Sequence, residues 1–158
     1  MEFGHRHTSN WITLNDGVMG GRSIGKMSWA ADHMHWEGQT SLQNNGGFAS
    51  VRSPWSSMDL SGMSAVVIVC KGTGGPFKLT LETSQQWWMP YAYASFTPSN
   101  DWSEITIPLK AFQWSQAQLG DLKTVSSKEL REVLRSGLMK YDGTASAFEL
   151  EVKSIAFQ

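Results

Sequence analysis

Residues 15–23, Asn15-Asp16-Gly17-Val18-Met19-Gly20-Gly21-Arg22-Ser23, interrupt any helix or strand that enters them. Asp before Gly favours a turn, because the carboxylate bonds nearby backbone and Gly accepts positive φ. Gly20-Gly21 repeats the break and leaves Val18 and Met19 on a short rigid piece between two bends. Gly17, Gly20 and Gly21 are expected to hold the Asp16 turn, at least one of them at positive φ. A second stretch, Asn44-Asn45-Gly46-Gly47-Phe48-Ala49-Ser50-Val51-Arg52, bends again and then alternates apolar and polar from Phe48 onward, as a strand does.

The rest of the chain is cut into pieces of similar size. Short strands are expected over residues 11–14, 23–29, 33–36, 40–43 and 48–52, with a hairpin or bulge at Gly38. Residues 64–70, Ser64-Ala65-Val66-Val67-Ile68-Val69-Cys70, form an apolar, β-branched run. It is too short for a lone helix and is bounded by Gly62 and Gly72, which predicts a central strand. Alternation predicts further strands over 77–83, 91–97, 102–107 and 147–157. One helix is expected over 127–135, with Leu130, Val133 and Leu134 on one face. Ser126 and Glu129 would form its capping box, and Gly137 would close it. Regularly spaced short strands read as a β-sandwich. At 158 residues the chain is one domain in length and can bury a sizeable core. The expected division is a flexible polar tail, residues 1–10, followed by a single sandwich over 11–158.

Taken together, the two glycine-rich stretches carry a family resemblance. Trp11, residues 15–23 and Asn45-Gly46-Gly47-Phe48-Ala49-Ser50-Val51-Arg52 resemble the complex I intermediate-associated protein 30 family. Weaker pieces follow in order: Gly72-Thr73-Gly74 with Phe77, Trp102 with Ile107-Pro108-Leu109 and Phe112, and Phe148-Glu149-Leu150-Glu151-Val152. The resemblance covers nearly the whole chain. It implies a jelly-roll sandwich of the galactose-binding type. It also implies a non-enzymatic role in assembling a respiratory or photosynthetic complex, with a subunit or assembly intermediate as the protein partner. Within the motif, Trp11, Asn15, Gly17, Met19, Gly20, Gly21, Gly46, Gly47 and Phe48 are expected to be structural.

Charge is nearly balanced, 13 basic against 14 acidic residues. That gives neither the basic patch nucleic acid needs nor the Lys/Arg cluster an anionic membrane attracts. No run approaches the ~20 apolar residues of a spanning helix. One cysteine forms no internal disulfide, which fits a reducing compartment. The amino-terminal residues are polar with no apolar core of a signal peptide. The expectation is a soluble, cytoplasmic, bacterial chain.

No catalytic constellation is present, so no enzyme and no cofactor are expected. Gly72-Thr73-Gly74-Gly75 follows a strand, but Pro76 and another strand come next. Without a helix amino terminus this is a turn and not a phosphate loop. His5 with His7, and His33 with His35, have a spacing that can serve a metal, yet each pair lacks a third ligand, and no metal site is expected.

Three features remain as binding candidates. Asp16 and Arg52 lie beside bends that could face each other. They can form a polar site that grips a ligand, or serve as an ion pair or as a cap on the glycine turn; Asp beside Gly so often serves its own turn that the second use is favoured. Asn45 stands in the second bend. Trp87-Trp88-Met89-Pro90-Tyr91 cannot turn both indoles inward on a strand, since neighbours face opposite sides, so at least one ring should be exposed or cover a loop. Eight tryptophans are present, and tryptophan both packs cores and lines ligand faces. Trp87, Trp88 and Tyr91 therefore serve a protein-contact surface or, as the alternative, a carbohydrate or small-ligand site.

Overall fold

The computed structural model of the protein describes residues 1–4, 10–115 and 123–158. Among the described residues, eleven strands make two antiparallel sheets packed face to face, a jelly-roll β-sandwich. One sheet runs β1 (Ile12–Asn15), β4 (Ala49–Arg52), β10 (Arg135–Lys140), β6 (Phe77–Glu82), β7 (Ala92–Phe96), β9 (Gln113–Trp114). The other runs β2 (Ile24–Trp29), β3 (Met34–Gln39), β11 (Ala147–Phe157), β5 (Ala65–Thr73), β8 (Ser103–Pro108).

Period-two alternation places one face of the longer strands in the core. Val51, Leu138, Leu79 and Leu81 come from the six-stranded sheet; Trp36, Ile68, Leu150, Val152 and Ile155 come from the other, and all are buried. Trp36 is fully buried against Phe148, ring centroids 4.7 Å apart, and against Phe77 at 5.9 Å. Each such side chain contributes roughly 1.5–3 kcal/mol by leaving water.

Several expectations need correction. Residues 127–135 are not one helix. α1 spans only Ser127–Leu130; its capping box is present, with Ser126 Oγ accepting from Glu129 N–H. The chain then turns, Leu134 N–H donates to Glu82 O, and β10 begins at Arg135. Leu130 and Val133 are both buried, but from different elements, so their helical spacing arises from a turn followed by extended backbone. Gly137, expected to close the helix, lies mid-strand opposite Thr80 and Arg52.

β3 runs straight through Gly38 with no bulge there. A side chain at Gly38 would strike Ile24 O of β2, built Cβ to oxygen 2.0 Å. The strand expected over 40–43 is absent; that segment leads into a bend, Gln43–Asn45, in which Asn44 and Asn45 take positive φ, 56° and 57°.

Residues 1–4 are not part of a flexible tail. Phe3 is buried, its N–H donates to Lys153 O, and its ring meets Trp11 edge-on at 5.3 Å. Residues 1–4 therefore pack on β11 because Phe3 is apolar enough to fill the sandwich edge. His5 and His7 lie outside the described residues. Among the described residues no helix is long and apolar enough to cross a membrane.

Candidate functional site

The site begins with the pairing of β1 and β4. Asn15 stands opposite Ala49, so the residue after β1, Asp16, arrives beside the residue before β4, Phe48. Asp16 opens a 3-10 turn, Asp16–Met19, ended by Gly20 at φ 83°. Asp16 N–H donates to Phe48 O, and Gly21 N–H donates to Asp16 O.

The Asp16 side chain then crosses to the second bend. Oδ1 accepts from Ser23 N–H at 2.8 Å. Oδ2 accepts from Ser23 Oγ at 2.5 Å, Gly47 N–H at 2.6 Å and Phe48 N–H at 3.2 Å. Burial alone would raise its pKa; these hydrogen bonds outweigh it, and the carboxyl sits below its ordinary value. Asn44 Nδ2 adds a second tie, to Gly20 O at 3.0 Å. Asp16 therefore caps backbone N–H groups of both stretches, Ser23 in its own and Gly47 and Phe48 in the other. It forms no ion pair with Arg52, whose charged partner is Glu82.

Arg52 leaves the outer face of β4 and lies over Gly137 of β10, which has no side chain to block it; a Cβ there would stand 3.3 Å from Arg52 Cγ. Its Nη1 comes within 3.4 Å of Glu82 Oε1 on β6. Arg135, in register with Glu82, holds that carboxylate more firmly, Nη2 to Oε2 at 2.6 Å and Nε to Oε1 at 3.1 Å. The Arg135 guanidinium also rests on the Trp55 ring, 3.7 Å from its centroid.

After β6 the chain turns out through residues 83–91 before entering β7. Trp87 and Trp88 sit on this turn, not on a strand, and both are exposed, 83% and 56%. Their rings meet edge-on, centroids 5.9 Å apart at 89°. Tyr91 folds back over the sheet, its hydroxyl 3.6 Å from Met139 Sδ; burial pushes its pKa up to about 12, so it stays protonated.

These parts enclose a cleft of about 470 Å³ on the outer face of the six-stranded sheet. All six sequence-derived binding candidates, Asp16, Asn45, Arg52, Trp87, Trp88 and Tyr91, border it. Met19, expected to be structural, is exposed and also borders it, whereas Trp11 is buried in the core. Sequence reasoning missed Glu82, Met139 and Tyr141. Glu82 was within reach, since it shares the outer face of β6 with Lys78 and Thr80 by alternation. Met139 went unseen because β10 was hidden behind the helical spacing before it.

Elsewhere the candidates come to rest in structural roles. His33 contacts Asp32 and Glu151, both at 2.8 Å, and His35 contacts Glu149 at 3.0 Å. Among the described residues no three His, Cys, Asp or Glu side chains converge as metal ligands. Cys70 is buried, which raises its thiol pKa to about 11. Gly74 makes the β5–β6 turn at φ 75°.

Residues 1–152 match the family described as complex I intermediate-associated protein 30. The chain belongs to that family. No curated protein matches the sequence closely enough to count as a relative. Among solved structures, this family member is similar to the family 11 carbohydrate-binding module of a cellulosomal cellulase of Clostridium thermocellum. The TM-score is 0.65 at 14% identity, covering 95% of this chain and 91% of that one. It is also similar to the family 11 module from the same organism in complex with a β-1,3-1,4-mixed-linked tetrasaccharide, TM-score 0.64 at 15% identity over 96% and 94% of the two chains. At that identity the likeness is one of fold.

Proposed function

We propose that this family member is a non-enzymatic protein-binding module, an assembly factor or chaperone-like domain that grips a segment of its partner in the cleft. Family membership supports a respiratory-complex subunit or assembly intermediate as that partner, and the single buried cysteine supports a cytoplasmic setting. The observation that carries the reading is the character of the cleft wall. Trp87, Trp88, Met89 and Met19 are all exposed, and the two indoles stand perpendicular. Methionine and crossed rings adapt to apolar side chains of varied shape, whereas stacking on a sugar needs a flat aromatic face.

The test is capture of partners from the native cell by a tagged domain, identified by mass spectrometry. Trp87→Ala and Trp88→Ala should each weaken capture several-fold while leaving the melting temperature within a few degrees, because both rings project into solvent. Calorimetry against simple sugars and oligosaccharides should show no saturable heat.

One observation favours a second reading, a carbohydrate- or small-ligand-binding module. The fold is shared with carbohydrate-binding modules, one of them solved with a tetrasaccharide, and Tyr91, Arg52 and Glu82 put an aromatic ring beside directed polar groups. A sugar isotherm abolished by Trp88→Ala would install that reading in place of the first.

A further inference from the structure

Hydrogen-bond capacity around the cleft is unevenly spent. The two oxygens of Asp16 accept four donors from Ser23, Gly47 and Phe48. Glu82 is held by two nitrogens of Arg135. Arg52 is the exception. Of the five N–H donors a guanidinium carries, its Nε donates to Ser50 Oγ at 3.3 Å. Its Nη1 only stands near Glu82 Oε1, at 3.4 Å and without hydrogen-bond alignment. Among the described residues no other acceptor reaches it. The side chain is mostly buried, 16% exposed, and it borders the cleft together with Tyr91 and Met139.

Charge points the same way. Arg52 and Arg135 share one carboxylate, Glu82. Burial lowers the Arg52 pKa and the neighbouring Arg135 adds to that, with Glu82 opposing, which marks a cation short of compensation. A planar guanidinium with an open edge matches a carboxylate bidentately, and such a pair gains strength as water is excluded. An uncharged sugar hydroxyl would accept one bond and leave the charge as it was.

We infer that the cleft takes an acidic peptide segment of a partner protein, an Asp or Glu carboxylate seated on the open edge of Arg52 and apolar neighbours lying against Trp87, Trp88 and Met19. This rests on the protein-binding reading and names the chemistry of the segment. The Asp16 oxygens are occupied by the donors of Ser23, Gly47 and Phe48 and do not compete for the Arg52 guanidinium.

The test pans a random peptide display library on the intact domain and measures the enriched peptides by fluorescence anisotropy. Enriched sequences should share an Asp or Glu next to apolar or aromatic residues. Changing that acid to its amide should weaken binding to the wild-type domain ~10-fold, the size expected for a charge-assisted pair, and under about 2-fold on Arg52→Gln. The amide swap is made in the peptide, so the wild-type comparison stands even if Arg52→Gln folds poorly. Enriched peptides that lack an acid, or whose amide swap is silent, overturn the acidic segment and leave protein binding intact. If no peptide is enriched and an oligogalacturonate binds by calorimetry, the acidic segment and the protein-binding reading fall together. If neither binds, the acidic segment is overturned alone, and partner capture still decides the broader reading.

Discussion

A Cβ built on Gly21 would stand 2.3 Å from Asp16 Cγ, and one built on Gly46 would stand 2.5 Å from Asp16 Oδ2. Neither glycine is at positive φ; each is small because the carboxylate occupies the space a side chain would take. Gly20, by contrast, answers to backbone conformation, at φ 83° with open space around it, and Gly17 answers to neither constraint. Gly21→Ala and Gly46→Ala should therefore each cost about 1–3 kcal/mol, because the carboxylate cannot yield without losing buried hydrogen bonds. Gly17→Ala should melt with wild type. Thermal unfolding of the three variants checks the ordering, and equal melting temperatures would contradict the crowding account. The bends themselves were legible from Asp16-Gly17 and Gly46-Gly47. The donors that Asp16 collects were not, since Gly47 lies 31 residues away and is delivered by the β1–β4 register.

At the scale of elements, the long alternating strands were legible and the junction before β10 was not. β11 spans the expected residues; alternation there holds through Phe148, Leu150 and Val152 and resumes at Ile155 after a bulge between Val152 and Ser154. Around Leu130, Val133 and Leu134 a helix and a turn-plus-strand produce the same apolar spacing, and only pairing with β6 and β4 decides between them. Tertiary hydrogen bonds outweigh the local helical preference because a helix this short gains little by itself. Gly137 discriminates the two cases in solution. As a helix terminator it would tolerate alanine at modest cost. Within β10 an added Cβ would sit 2.8 Å from Thr80 Oγ1 and 3.0 Å from Val51 O. Gly137→Ala should cost about 1–3 kcal/mol by overpacking and should also displace Arg52 from its course over β10. A urea midpoint equal to wild type would count against the strand.

For the molecule as a whole, three carboxylates contribute to the acid limit of stability. In Asp16, Asp142 and Glu129 burial pushes the pKa up but hydrogen bonds bring it down further, and Glu129 falls to about 2. Their donors are, in turn, Ser23 with Gly47, Lys140 with Thr144, and Ser126 with Lys123. Each folded pKa lies below the unfolded value of about 4, so the stability these groups contribute is complete above that value and is lost as pH falls through the folded pKa. Urea midpoints should be level from pH 7 to about 5 and drop between about 4 and 2. A midpoint unchanged at pH 3 would show that the three groups are not tied as described. The two sides of the cleft differ in what they owe to the sandwich. One side, with Asp16 and Asn45, is sewn into β1 and β4 by the Asp16 carboxylate. The other is the turn that carries Trp87 and Trp88; from Ser84 to Met89 its bonds, Gln86 N–H to Ser84 Oγ and Met89 N–H to Gln86 O, stay inside the turn, and Tyr91 at its end ties it to the sandwich, its N–H donating to Ser115 Oγ and its C=O accepting from Ser115 N–H. The aromatic side is thus a module in the engineering sense. Residues 84–89 can be exchanged for another sequence, changing what the cleft admits without renegotiating the fold, whereas the Asp16 side cannot be edited without editing the sandwich.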